Sequence, residues 1–222
     1  MRVLAITDIH GRIEEAYRLA KISKEIKADI ITISGDISAH KSIEIAWEIL
    51  KILNETGIPV AFVLGNIDNP QILKMPEPKG TYQLQGRKLE FMGHIFTGMG
   101  GSLMNPFSTF LQYTEEEIKK TIMNVLRDID GEKLILITHN PPQNTKTDVT
   151  RWGEHVGSVS IREIIEEKQP RLNICGHIHE AKGIDKIGRT YIVNPGPAMK
   201  KNYAIIDIKQ REVKIQLLKI SN

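Results

Sequence analysis

A chain of 222 residues, 41% hydrophobic and 26% charged, has the makeup of a folded globular protein and can bury the core of one large domain, read here as spanning residues 1–222. Its 30 basic and 27 acidic residues leave a net charge of +3 without a basic run, so nucleic acid is not indicated as a partner. The lone Cys175 excludes an internal disulfide and a thiolate metal cage, and the lack of a signal-peptide pattern or a membrane-length apolar run predicts a cytoplasmic protein.

Residues 2–7 read as a buried strand that ends in Thr7-Asp8-Ile9-His10-Gly11. Helical spacing follows from Ile13 to Ile26, then an apolar run Ile30-Ile31-Thr32-Ile33 closed by Ser34-Gly35-Asp36. A second helix is predicted from about Ser42 to Asn54, and Val60 to Leu64 forms a strand closed by Gly65-Asn66-Ile67-Asp68. Strand–helix–strand–helix–strand is the pattern of a parallel sheet, and each strand ends in a polar residue where open α/β sheets place their ligands.

Residues 69–113 are less regular, with short strands near Leu89–Met92 and Ile95–Thr97 turning at Gly93. Thr114 and Glu117 make a capping box for a helix to about Ile129, with Ile118, Ile122, Val125 and Ile129 on its buried face. Another buried strand, Leu134 to Ile137, is closed by Thr138-His139-Asn140-Pro141-Pro142. From Asn140 to Val159 no periodicity appears, and long loops of this kind in compact domains are usually functional. Ser160 and Glu163 then box a helix to Lys168, followed by strand 172–175, strand 190–193 and two last strands near 203–208 and 213–219. The expectation is one domain with two sheets, a strand-rich half at each end of the chain.

The stretch Ile174-Cys175-Gly176-His177-Ile178-His179 carries two histidines at i and i+2, which on a strand places both rings on one side. With it, Asp8, His10, Asp36, Asn66 and His139 each lie just past an apolar run. Singly, each has an ordinary reading as a turn or a packed side chain. Together they are nitrogen and oxygen ligands without sulfur, too many for one four-coordinate ion, and they suit two hard or borderline cations that share a carboxylate.

These blocks, Asp8-Ile9-His10, Gly35-Asp36, Gly65-Asn66-Ile67-Asp68, His139 and Gly176-His177-Ile178-His179, resemble the calcineurin-like metallophosphoesterase family and span nearly the whole chain. The resemblance implies a metallo-dependent phosphatase-like fold, a four-layer α/β sandwich of two mixed β-sheets flanked by helices. It implies two divalent metal ions, with manganese first and iron, zinc, nickel or magnesium as alternatives. It gives Asp8, His10, Asp36 and His179 to one ion, and Asp36 as bridge with Asn66, His139 and His177 to the other. The implied activity is hydrolysis of a small phosphate-ester substrate by a metal-bridging water, without an organic cofactor. Many family members carry Gly-Asn-His followed by Asp or Glu. Here Ile67 stands in place of that histidine, which leaves Asp68 with no imidazole to orient and shifts the expectation toward phosphodiesters.

His155, in the long loop, is the candidate replacement acid and is counted as catalytic together with Asn66. His40 could rim the site, and Arg12, Arg151 or Arg162 could hold phosphate; Trp152 and Phe107 could line a groove, and His94 reads as packing. The alternatives to a phosphoesterase are a protein-binding scaffold of the same fold, which would not need a complete ligand set, and a nuclease, which would need a basic groove. A homo-oligomer stays open.

Overall fold

A computed structural model describes residues 1–221 apart from 40, 107, 108, 128 and 211, so His40 and Phe107 lie outside the described residues. The chain opens with β1 (Arg2–Ile6), α1 (Ile13–Glu25), β2 (Ile30–Ser34), α2 (Ile43–Asn54) and β3 (Val60–Val63), matching the predicted alternation. It continues through β4 (Thr81–Gln83), β5 (Lys88–Phe91), β6 (His94–Met99), β7 (Ser102–Leu103), β8 (Gln112–Tyr113), α3 (Glu115–Val125) and β9 (Leu134–Thr138). The last part holds α4 (Val159–Lys168), β10 (Leu172–Ile174), β11 (Gly183–Ile187), β12 (Thr190–Asn194), β13 (Asn202–Ile208) and β14 (Val213–Lys219).

The strands form two mixed sheets of six, ordered β14-β13-β1-β2-β3-β4 and β11-β12-β10-β9-β6-β5, with β7 and β8 as a separate pair. Strands β1 to β4 run parallel, as do β6, β9, β10 and β12, while antiparallel partners close the edges except at β4. The division into strand-rich halves is corrected here: β13 and β14 return to pair beside β1, so both chain ends build the first sheet and the middle builds the second.

Side-chain alternation along the strands makes the layers. Leu4, Ile6, Val60 and Phe62 pack under α1 and α2 with Leu19, Ile49 and Leu50. Their neighbours Val3, Ala5, Ala61 and Val63 face the other way, into the core between the sheets, where they meet Ile135, Ile137 and Ile174. Leu134 and Leu136 point out of the second sheet onto Ile118 and Ile122 of α3 and Ile161, Ile164 and Ile165 of α4. Full burial of each such side chain contributes on the order of 1.5–3 kcal/mol, so both helix pairs are held by their apolar stripes. The order is helix, sheet, sheet, helix, the four-layer α/β sandwich.

Two helix boundaries differ from expectation. The capping box at Thr114 and Glu117 forms, but α3 stops at Val125, and Leu126 rather than Ile129 completes its buried face. Ser158, not Ser160, caps α4, its Oγ accepting from Ile161 N at 3.1 Å, while Ser160 Oγ donates to the Glu115 carbonyl at 2.8 Å. Among the described residues no helix is long and apolar enough to cross a membrane.

Candidate metal centre

The parallel strands deliver their carboxyl ends to one place, and hydrogen bonds between the loops fix it. Asp8 N donates to Gly35 O (3.0 Å), His10 N to Asp36 O (2.9 Å) and Gly176 N to His139 O (3.0 Å). Asp68 is fully buried and fully engaged: Oδ1 accepts from Ser38 N (2.8 Å) and Ser38 Oγ (2.9 Å), Oδ2 from Gly65 N (2.8 Å) and Ile37 N (3.1 Å). It ties the loop after β2 to the loop after β3.

This tying strains the backbone. Asp8, His10, Asp36 and His177 all have left-handed φ, between 50° and 67°. Non-glycine residues held there cost of order 1–3 kcal/mol each, and they persist where the surroundings over-determine them, commonly at functional sites. Two glycines let the layers close: a Cβ at Gly65 would overlap Asp36 Oδ1, and one at Gly176 would overlap Thr7 Oγ1.

Side-chain atoms of both sheets converge above these turns. His10 Nε2 and His179 Nε2 are 3.2 Å apart, and His179 Nε2 is 3.2 Å from Asp8 Oδ1. Asp36 Oδ2 lies 3.8 Å from His10 Nε2 and 3.6 Å from His139 Nε2, with Asn66 Oδ1 3.0 Å from the same His139 nitrogen. His139 Nδ1 donates to the Ser34 carbonyl at 2.7 Å, which orients the ring with Nε2 toward Asp36 and Asn66. Two three-residue sets, Asp8–His10–His179 and Asp8–Asp36–His139, each place one ligand atom per residue within 4.8 Å of the others. Asp8 is common to both, whereas the resemblance gives the bridge to Asp36.

The structure corrects the reading of the histidine pair. β10 ends at Ile174, and His177 and His179 sit on the following loop, so strand geometry does not align them. His177 stacks at a tilt beside His139, ring centres 4.9 Å apart, while His179 meets His10 edge-on at 5.2 Å. His177 belongs to neither three-residue set, although its backbone N–H donates to Asp8 Oδ2 at 3.1 Å.

Two buried carboxylates and facing imidazoles make a donor set that fits divalent cations. Burial, then the charges of Asp8 and Asp68, push the Asp36 carboxyl well above its usual range. The hydrogen bond to Asp8 raises His179. Burial is the largest influence on Asp8 and works against its anion, but the bonds from His10 and His179 together with the charges of His139 and His179 hold Asp8 low. Burial, then the His139 ring, takes His177 down to about 3. Raised groups keep their protons to higher pH, so a cation must displace protons from Asp36 and His179. Metal affinity is therefore expected to be weaker at pH 6 than at pH 8 and to release protons on binding, by calorimetry in buffers of different ionisation enthalpy. Binding at pH 6 without proton release would contradict this.

A cleft of about 630 Å³ opens over the centre, floored by Asn66, His177 and His179 and walled by Leu103, Met104 and Val156. The sequence gives no local sign of the wall: Leu103 and Met104 lie in the irregular stretch, and only the fold brings them here. The long loop does border the cleft, through Asn140, Thr150 and Val156. Its order comes from fully buried Asp148, which accepts from Asn144 N (3.0 Å), Thr145 N (2.8 Å), Gly157 N (3.0 Å) and His155 Nδ1 (2.7 Å). His155 is exposed, pairs with Val149, and is not among the residues lining the cleft. His155→Ala is expected to lower turnover by about tenfold or less through a looser loop, with metal content unchanged in parallel metal analysis; loss of metal would make it a ligand.

Arg162 Nη1 is spent on the carbonyls of Gln143 and Asn144, and Arg151 lies over the exposed Trp152 ring at 4.2 Å. Neither they nor Arg12 line the cleft. His94, half-buried at the start of β6, is lowered by burial and lies at a separate cavity.

The family profile described as "Metallophosphoesterase, calcineurin superfamily" matches residues 38–218. An uncharacterized protein of Methanocaldococcus jannaschii is 37% identical over 220 residues, covering 96% of this chain and 94% of its own. A protein of Thermus thermophilus superposes with a TM-score of 0.76 at 18% identity, covering 97% of each chain. A dimetal phosphatase from Danio rerio superposes at 0.71 with 11% identity, covering 98% of this chain and 95% of that one. With its ligand-type residues at the strand ends and a family match over most of its length, the chain belongs to the calcineurin superfamily of metallophosphoesterases.

Proposed function

We propose that this protein hydrolyses phosphodiesters at a centre for two divalent ions, manganese first, held by Asp8, His10, Asp36, Asn66, His139, His177 and His179. The observation that carries the reading is the convergence of two buried carboxylates with His10, His139 and His179 at the foot of an open cleft. Bound there, the ions would neutralise phosphoryl charge and lower the pKa of a water molecule. Ser34 orients His139 through Nδ1, and Thr7 Oγ1 donates to Asp8 Oδ2 at 2.7 Å, so both ligands are held in place before anything binds. Asn66 lines the cleft, and in this reading its amide N–H would serve a phosphoryl oxygen while its oxygen serves as ligand.

The leaving group is the weak point of this site. Ile67 is half-buried hydrocarbon, and its backbone N–H donates to Asp36 Oδ1 at 3.1 Å. Asp68 already accepts four bonds, so it is not available to orient a proton donor. Well-placed general acids contribute roughly 10²–10⁴-fold, and esters that leave as stable anions need them least. The cleft lining among the described residues contains no Lys or Arg, which speaks against a nucleic-acid strand as substrate.

The test is steady-state hydrolysis of bis(4-nitrophenyl) phosphate and of glycerol 2-phosphate with manganese, magnesium, zinc, nickel and iron. Expected is metal-dependent diester turnover, abolished by chelator, with the alkyl monoester slower by about 10²-fold or more. Chelator-insensitive turnover, or preference for the alkyl monoester, overturns the reading.

A further inference from the structure

The wall of the cleft differs in chemistry from its floor. Leu103, Met104, Val156 and Ile178 turn hydrocarbon toward the space above the histidines. Met104 is 68% exposed and Val156 38%, so apolar surface from two distant parts of the chain is left in water along one concavity. Scattered exposed apolar residues mean little, but several lining one cleft beside convergent polar groups is the usual make-up of a small-ligand site. The histidines aside, Glu180 is the only lining residue, among those described, with a formal charge, and its Oε1 accepts from Arg151 N at 3.2 Å. A substrate with several phosphates would find no cation on these walls and would face a carboxylate. A substrate whose single charge lies at the floor and whose ester group is neutral and apolar would bury that group against them.

We infer that the cleft selects a monoanionic phosphodiester carrying an apolar ester group, aromatic or branched, and that Met104 and Val156 determine that preference. This rests on the phosphoesterase reading above and narrows its substrate class. The thioether chain of Met104 is unbranched and polarisable, so it can follow aromatic and aliphatic groups of different outline. In the reaction, a water oxygen bonds to phosphorus and the bond from phosphorus to one ester oxygen breaks. That oxygen leaves with the electron pair and takes up a proton. The products are a phosphomonoester and a phenol or alcohol, and no electrons are transferred.

The experiment compares 4-nitrophenyl phenyl phosphate with 4-nitrophenyl methyl phosphate on the manganese-loaded chain, since both release the same nitrophenolate. For wild type, kcat/KM is expected to favour the phenyl ester by about tenfold or more. Met104→Gln combined with Val156→Thr should shrink that ratio by about the same factor, and the change in ratio cancels the intrinsic reactivity of the two esters. A second readout needs no turnover: in zinc-loaded protein with methyl-labelled methionine, diphenyl phosphate should shift the Met104 signal and dimethyl phosphate should not. Met104→Gln assigns that signal by its disappearance. An unchanged ratio in the double variant, or a Met104 signal that ignores diphenyl phosphate, overturns the inference. If neither ester is hydrolysed with any metal while diphenyl phosphate still moves Met104, the phosphoesterase reading fails and the apolar specificity stands.

Discussion

Asp36→Asn is expected to lower phosphodiester turnover on the order of 10³-fold or more, as loss of a charge at the reacting centre generally does, while the metal-free fold becomes more stable. Asp36 lies between the two histidine groups, 3.8 Å from His10 Nε2 and 3.6 Å from His139 Nε2, so both proposed ion positions lose charge together. Asparagine keeps the oxygen that accepts from Ile67 N, so the turn itself survives. The gain in apo stability has a definite sign. Burial and the neighbouring Asp8 and Asp68 raise the Asp36 carboxyl in the folded state above its unfolded value, so it binds protons more tightly when folded. Its contribution to stability is present at low pH and lost as pH rises through the folded pKa. The difference in melting temperature, variant minus wild type in chelator, should therefore grow from pH 4 to pH 8. A variant that retains full metal content, or a difference that shrinks with pH, would contradict the role given to Asp36.

Gly65→Ala is the second large effect, and it works by collision. The backbone at Gly65 is not left-handed, so alanine can adopt it, but its Cβ would overlap Asp36 Oδ1 and the Asp36 backbone nitrogen. Relief requires moving the loop after β3, and Gly65 N is itself bonded to Asp68 Oδ2 at 2.8 Å, so Asp68 and Ser38 move with it. Overpacking of this kind costs about 1–3 kcal/mol, and the displaced carboxylate should cost about 10²-fold or more in turnover along with metal affinity. Gly183→Ala is the control: nothing lies within 3.7 Å of its added Cβ and its φ is not left-handed, so it should stay within about 0.5 kcal/mol of wild type. Denaturation and metal titration of the two variants side by side check both statements.

The elements that carry ligands were the ones legible in the sequence. Parallel strands covered on both faces read as unbroken apolar runs, and β1, β2, β3 and β9 each end such a run with a polar residue. Asp8, His10, Asp36, Asn66 and His139 could thus be placed at strand ends from order alone, whereas the close approaches at Gly65 and Gly176 appear only in the fold. What stayed hidden was set by tertiary contacts. Strand β4 is three residues with an exposed Tyr82 at its centre, and β11 is an edge strand of mixed polarity, so neither shows a run or a clean period. The strand assigned to His177 and His179 failed because β10 pairs with β9 and β12 only as far as Ile174, after which the chain turns into the site. Ser158 caps α4 because Glu115 reaches it from another helix, its Oε2 accepting from Ser158 Oγ, which no local pattern reveals. The cleft wall is likewise a product of folding, since Met104 and Val156 lie far apart in the chain.

The most direct test of the two-ion centre is anomalous diffraction from crystals of the manganese-loaded protein. Two peaks are predicted, one within coordination distance of Asp8, His10 and His179, the other beside Asp36, His139 and Asn66. A single peak at saturating manganese, or peaks away from these residues, would contradict it.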